Sequence, residues 1–73
     1  MGLTDEEKEA LAAYGFRLHG GTIWAARRPD GTLKATLVYL RAARVWSLAG
    51  LGPFYEGPDP IALVAAATMR GDL

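Results

Sequence analysis

Cysteine, asparagine and glutamine are absent from the 73 residues of this chain, and serine and histidine occur once each, as Ser47 and His19. Without cysteine there is no disulfide, no thiolate metal site and no redox clue to compartment. A solitary histidine lacks partners for an N/S metal site, and the chain implies no cofactor. Ser47, read as mid-strand with no His or Asp at a predictable distance, does not make a nucleophilic triad. Glu6, Glu7 and Glu9 crowd a helix start, where capping explains them. Gly50-Leu51-Gly52 lacks the glycine pattern, lysine and following helix of a phosphate-binding loop. No catalytic constellation is left, and a non-catalytic role is expected.

Long hydrophobic runs are missing too. No apolar stretch approaches the roughly 18 residues of a membrane span, and the acidic stretch Met1 to Glu9 is the opposite of a signal peptide. The chain therefore reads as cytoplasmic. Loss of the thermolabile amides, with six arginines among the eight basic residues, fits a thermophilic source. A single domain of this size builds only a modest core, and with disulfides and metals excluded, self-association is the remaining stabilising device.

Formal charge sums to zero but is unevenly placed. Residues 16–49 carry Arg17, Arg27, Arg28, Lys34, Arg41 and Arg44 against Asp30 alone, whereas the flanks carry Lys8 and Arg70 against Asp5, Glu6, Glu7, Glu9, Glu56, Asp59 and Asp72. A basic middle between acidic ends can attract a polyanion, a second copy, or simply its own flanks.

Local signals predict an α+β chain. Thr4 with Glu7 three residues on is a capping box, and Asp5, Glu6 and Glu7 favour the positive end of a helix dipole. That helix has a narrow apolar edge of Ala10, Leu11 and Tyr14, and should end near Ala13 with Gly15 as its left-handed stop. Asp59 before Pro60 caps a second, mostly apolar helix, in which Ile61, Val64, Ala65 and Thr68 recur at helical spacing, Leu63 and Ala67 widen the stripe, and Arg70-Gly71 closes it.

Between the helices, three turn signals predict an antiparallel meander of three to four strands with both helices on one face. Gly20-Gly21 suits a tight hairpin that sets Leu18 opposite Ile23 and Phe16 opposite Ala25. Arg28-Pro29-Asp30-Gly31-Thr32 suits a type I turn closed by a glycine bulge, setting Ile23 opposite Leu37 and Ala25 opposite Ala35. A reversal at Ala42-Ala43 sets Tyr39 beside Trp46 and Leu37 beside Leu48. Strict alternation then expects one core face made of Phe16, Leu18, Ile23, Ala25, Leu33, Ala35, Leu37, Tyr39, Trp46 and Leu48. A rival pattern exists, since Leu33, Leu37, Leu40 and Ala43 are also spaced for a helix. The β formers Thr36, Val38, Tyr39, Val45 and Trp46 favour strands. Gly50 to Pro58 reads as a loop crossing the sheet, with Leu51, Phe54 and Tyr55 available to pin it over the core edge.

By the same alternation, the opposite face holds Arg17, His19, Trp24, Arg28, Lys34, Val38, Leu40 and Val45. Two helices cannot cover both faces of so small a sheet, and an uncovered face of this composition calls for a partner. Trp24, Arg17, Arg28, Lys34, Val38, Leu40 and Val45 are the candidate partner-binding residues, with Trp24 as anchor. Two uses are expected of them. One is a protein interaction module, most simply a two-fold homodimer; the other is nucleic-acid binding, with the cations on phosphates and Trp24 stacked on a base.

An acidic helix followed by Gly15-Phe16, Gly20-Gly21 and a hairpin closed by Pro29-Asp30-Gly31 resembles the HicA-type toxins over residues 4–37. The resemblance implies a topology like that of double-stranded-RNA-binding domains. Thr22 stands where that family is expected to carry its catalytic histidine, and residues 60–69 lack the basic helix motif of true RNA-binding members. The resemblance extends to topology and implies no activity.

Overall fold

The structure, a computed structural model, describes residues 3–50 and 52–73. Leu51, expected to help pin the crossing loop, lies outside the described residues. Elements follow one another as α1 (Asp5–Ala13), β1 (Phe16–Gly20), β2 (Ile23–Arg27), β3 (Leu33–Leu40), β4 (Val45–Ala49), β5 (Tyr55–Gly57) and α2 (Pro60–Met69). The strands form a five-stranded antiparallel meander in sequence order, β1-β2-β3-β4-β5. Residues 33–46 are thus two strands and a turn, not a helix. The sheet also gains a fifth strand inside the segment expected to be a loop. The three-residue β5 pairs with β4 through Trp46–Gly57, Ser47–Glu56 and Leu48–Tyr55.

Both helices end as their sequences dictate. The Thr4 backbone N–H donates to Glu7 Oε1 at 2.9 Å while the Glu7 N–H donates to Thr4 Oγ1 at 3.1 Å, closing the capping box. Asp59 Oδ1 accepts from the Ile61 and Ala62 amides ahead of α2. At the other end of α2, Gly71 at φ +80° lets its own N–H reach the Thr68 carbonyl and the Asp72 N–H reach that of Ala67. This paired reversal satisfies two carbonyls that a simple helix end would leave open.

The core lies between the helices and one face of the sheet. Leu11 of α1 and Val64 and Ala67 of α2 meet Phe16, Trp24, Ala26, Ala35, Leu37, Trp46 and Leu48. Tyr39 leans on Trp46, ring centroids 5.2 Å apart and tilted by 52°, as the 39–46 pairing requires. Tyr55 fastens β5 to the end of α2 by donating its hydroxyl to Asp72, with the Arg70 guanidinium 5.7 Å above its ring. Phe54, expected to share that pinning role, is instead exposed.

One strand is inverted relative to expectation. The turn at Arg28–Thr32 forms as predicted: the Gly31 N–H donates to the Arg28 carbonyl at 2.9 Å, the Arg28 N–H donates to the Thr32 carbonyl at 2.8 Å, and Gly31 sits at φ +89°. Past the turn, however, Arg27 pairs with Leu33 but Ala26 pairs with Ala35, so Lys34 is an extra residue with no partner on β2. A second irregularity lies between Leu18 and Gly20 in β1, where Leu18 pairs with Trp24 and Gly20 with Ile23. Each bulge slips the register by one residue. The two slips cancel for β1, invert β2, and leave Leu33, ahead of the bulge and opposite Arg27, 48% exposed on the outer side instead of in the core. Trp24 and Ala26 therefore face the helices, while Ile23 and Ala25 face the other way.

Side-chain size explains the choice. Burying an indole removes roughly 150–250 Å² from water, worth about 4–6 kcal/mol at 25 cal/mol per Å². The cation–π contact expected to shield an outward Trp24 is worth only about 0.5–1 kcal/mol. Burial wins, and Arg17 stands across from Ala25 rather than Trp24.

Candidate functional site

Both helices occupy the Trp24 face, and no described element covers the other. The outer face is built in cross-strand rows. One runs Arg17–Ala25–Thr36–Ala49 across β1 to β4, and the next runs through Ile23, Val38, Ser47 and Glu56 on β2 to β5. A third pairs Leu40 with Val45 near the β3–β4 turn. Ile23, Val38, Leu40 and Val45 thereby form one apolar cluster across β2, β3 and β4. Ile23 is 38% exposed and Leu40 37%, and Val38 and Val45 are half-buried only by their sheet neighbours. Ala25 and Ser47, small residues between larger ones, are nearly covered on the same face.

Of the residues expected at this surface, Val38, Leu40, Val45 and Arg17 lie on it. Trp24 does not. It is 8% exposed within the core, so it can neither anchor a partner on the outer face nor stack on a base there. Arg28 is committed to its own hairpin, its Nη1 donating to the Leu33 carbonyl at 2.7 Å. Lys34 is half-buried at the β3 bulge. The bulge also hides a signal that the sequence carries only implicitly: the inverted strand brings Ile23 and Arg27 outward, and Arg27 reaches the Gly31 carbonyl at 3.1 Å. Glu56 is the other residue missed. It faces outward because its segment pairs as β5, and a loop of glycines and prolines gives no alternation from which to read that.

Small depressions border the face. One of about 100 Å³ lies over Ala25 and Thr36 between His19, Ile23, Arg27 and Leu33, and one of about 240 Å³ follows the β1 edge past Gly15, Arg17 and His19. Leu18 shares the core parity of Phe16 yet is 57% exposed, and it borders a cleft of about 160 Å³ that Leu3, Lys8, Trp24 and Trp46 also line.

Two groups titrate away from their ordinary values. Asp30 is held below 3.8 because its carboxylate accepts from the Thr32 hydroxyl at 2.6 Å and the Thr32 amide at 2.9 Å, with Arg28 adding attraction. Donation to Asp72 raises the Tyr55 phenol above 10.0, burial acting in the same direction and Arg70 against it. Both groups serve a turn or a helix end, away from the outer face. Among the described residues there is no cluster of three or more His, Cys, Asp or Glu that could hold a metal, and no helix long and apolar enough to cross a membrane.

Comparison with known proteins finds no match: no family model, no curated protein and no solved structure resembles the chain significantly.

Proposed function

We propose that this protein is a small non-catalytic interaction module that works through the outer face of its sheet, most simply by pairing with a second copy as a two-fold dimer. One observation carries the reading. A five-stranded sheet has both helices on one side, and the other side presents Ile23, Val38, Leu40 and Val45 as a contiguous apolar patch flanked by Arg17 and Arg27 on one side and Glu56 on the other. Such patches on soluble domains mark association surfaces, and a chain this short gains stability by covering one.

The test is the mass of the protein in solution at low and high salt, with and without a mixed-sequence oligonucleotide. A dimer that persists in salt and ignores the oligonucleotide supports the module. A monomer that binds the oligonucleotide and loses it steeply with salt supports a phosphate-binding face built on Arg17 and Arg27 instead. Replacing Val38 with Asp in the middle of the patch should abolish the dimer while leaving the fold in place, because that side chain faces away from the core.

A further inference from the structure

We infer that the two copies meet about a two-fold axis running parallel to β3 in the plane between the sheets, so that Glu56 of each copy lies over β1 of the other, beside His19 and within reach of Arg17. The inference rests on the dimer reading above and adds its geometry. It comes from how charge is laid out across the outer face. Glu56 is the one carboxylate that the strands of the described residues turn outward, and it stands on β5, at one edge. Arg17 and His19 are exposed on β1, at the opposite edge, with Arg27 next to them on β2. The apolar cluster lies between, on β2, β3 and β4.

Two identical sheets packed face to face about an in-plane two-fold have two limiting arrangements. With the axis across the strands, each strand lies over its own copy, so the acidic β5 edge meets β5 and the cationic β1 edge meets β1. With the axis along the strands, strand order reverses across the interface and β5 lies over β1. Val38, on the central strand, then meets its own copy, Ile23 lies over the partner's β4 near Ser47, and Glu56 lies over the cationic edge. Charge decides for the second arrangement: the central strand meets its own copy in both, but only here do opposite charges meet at the rim. A tilt of each central strand by about 15° from the axis gives the roughly 30° crossing usual for aligned sheets. Five strands about 4.8 Å apart and averaging about five residues present a footprint of roughly 400 Å² per copy, the scale of a weak, concentration-dependent dimer.

The experiment is sedimentation equilibrium from about 10 μM to 1 mM, the range such an area calls for. It compares the wild-type chain, Glu56→Arg, Arg17→Glu, and an equimolar mixture of the two variants. Each variant alone should self-associate at least about tenfold more weakly, because Arg would then face Arg, or Glu face Glu, at both symmetry-related contacts. The mixture should return to wild-type affinity as a heterodimer, since both contacts then join opposite charges. Glu56→Gln and Arg17→Gln, which remove attraction without adding repulsion, should weaken it less, and thermal melts should show all four variants folded. If the wild type dimerises but the charge reversals leave it unchanged, or the mixture associates no better than its components, the axis is wrong and the dimer reading stands. A wild type that stays monomeric throughout overturns both.

Discussion

Gly50 lies against the backbone of Lys34: at φ +96° it is so close that a Cβ built on it would stand 3.2 Å from the Lys34 carbonyl oxygen and 3.3 Å from Ala35 Cα. The contact falls at the bulge that inverts β2. The end of β4 thus packs tightly on the residue whose extra length decides which face Trp24 takes.

Gly50→Ala should therefore destabilise the fold by about 2–3 kcal/mol, combining a left-handed backbone penalty with a tight contact that asks backbone atoms of β3 to shift. Gly52→Ala provides the comparison. Its φ is +89° but nothing lies within 4 Å of the added carbon, so only the conformational cost of about 1–2 kcal/mol should appear. Urea denaturation midpoints measure both, and equal losses would show that the approach to Lys34 is unimportant.

Trp24→Ala and Trp46→Ala should each cost about 3–5 kcal/mol, most or all of the stability of a domain this size. Ile23→Ala, one residue from Trp24 but on the outer face, should cost less than about 1 kcal/mol in the monomer. Circular dichroism melts at low concentration separate these cases. A folded, near-normal Trp24→Ala would mean that the indole is outside the core and the bulge at Lys34 is absent.

Arg44 is the one non-glycine residue at positive φ among the described residues, at 56°, where its N–H closes the β3–β4 turn onto the Leu40 carbonyl at 2.8 Å. Arg44→Gly should raise stability by about 0.5–1 kcal/mol by removing the Cβ penalty. A lower melting temperature for this variant would show that the arginine side chain contributes more than its backbone strain costs.

Asp30 makes the first hairpin turn pH-sensitive. Its folded value lies below 3.8, so its stabilising contribution is present above the ordinary carboxylate range and is lost as pH falls through the folded value. Asp30→Ala should melt below wild type at pH 7, and the difference should shrink as both are acidified through the lowered folded value of Asp30. A difference that persists unchanged at low pH would place the effect of Asp30 in something other than its charge.

The sequence by itself determined α1, the strands β1 to β4, α2 and their order, because the signals for them are local. The Thr4–Glu7 box, the stop at Gly15, the cap of Asp59 before Pro60, the closure at Gly71 and the turn at Pro29-Asp30-Gly31 each act within a few residues, and each forms as read. The pairing of Tyr39 with Trp46 and Leu37 with Leu48 was legible for the same reason, since no bulge intervenes between β3 and β4. Tertiary structure decided what alternation cannot reach. A bulge is one residue of slack, and whether β3 spends it at Lys34 depends on the gain from burying Trp24 against both helices, a quantity that no window of sequence contains. The outward direction of Glu56 likewise depends on β4 offering an open edge to a segment with no strand pattern of its own. The apolar half of the candidate surface could thus be read from Val38, Leu40 and Val45. The outward turn of Ile23 and the acidic rim at Glu56 could not, because they are set by register and pairing across the sheet.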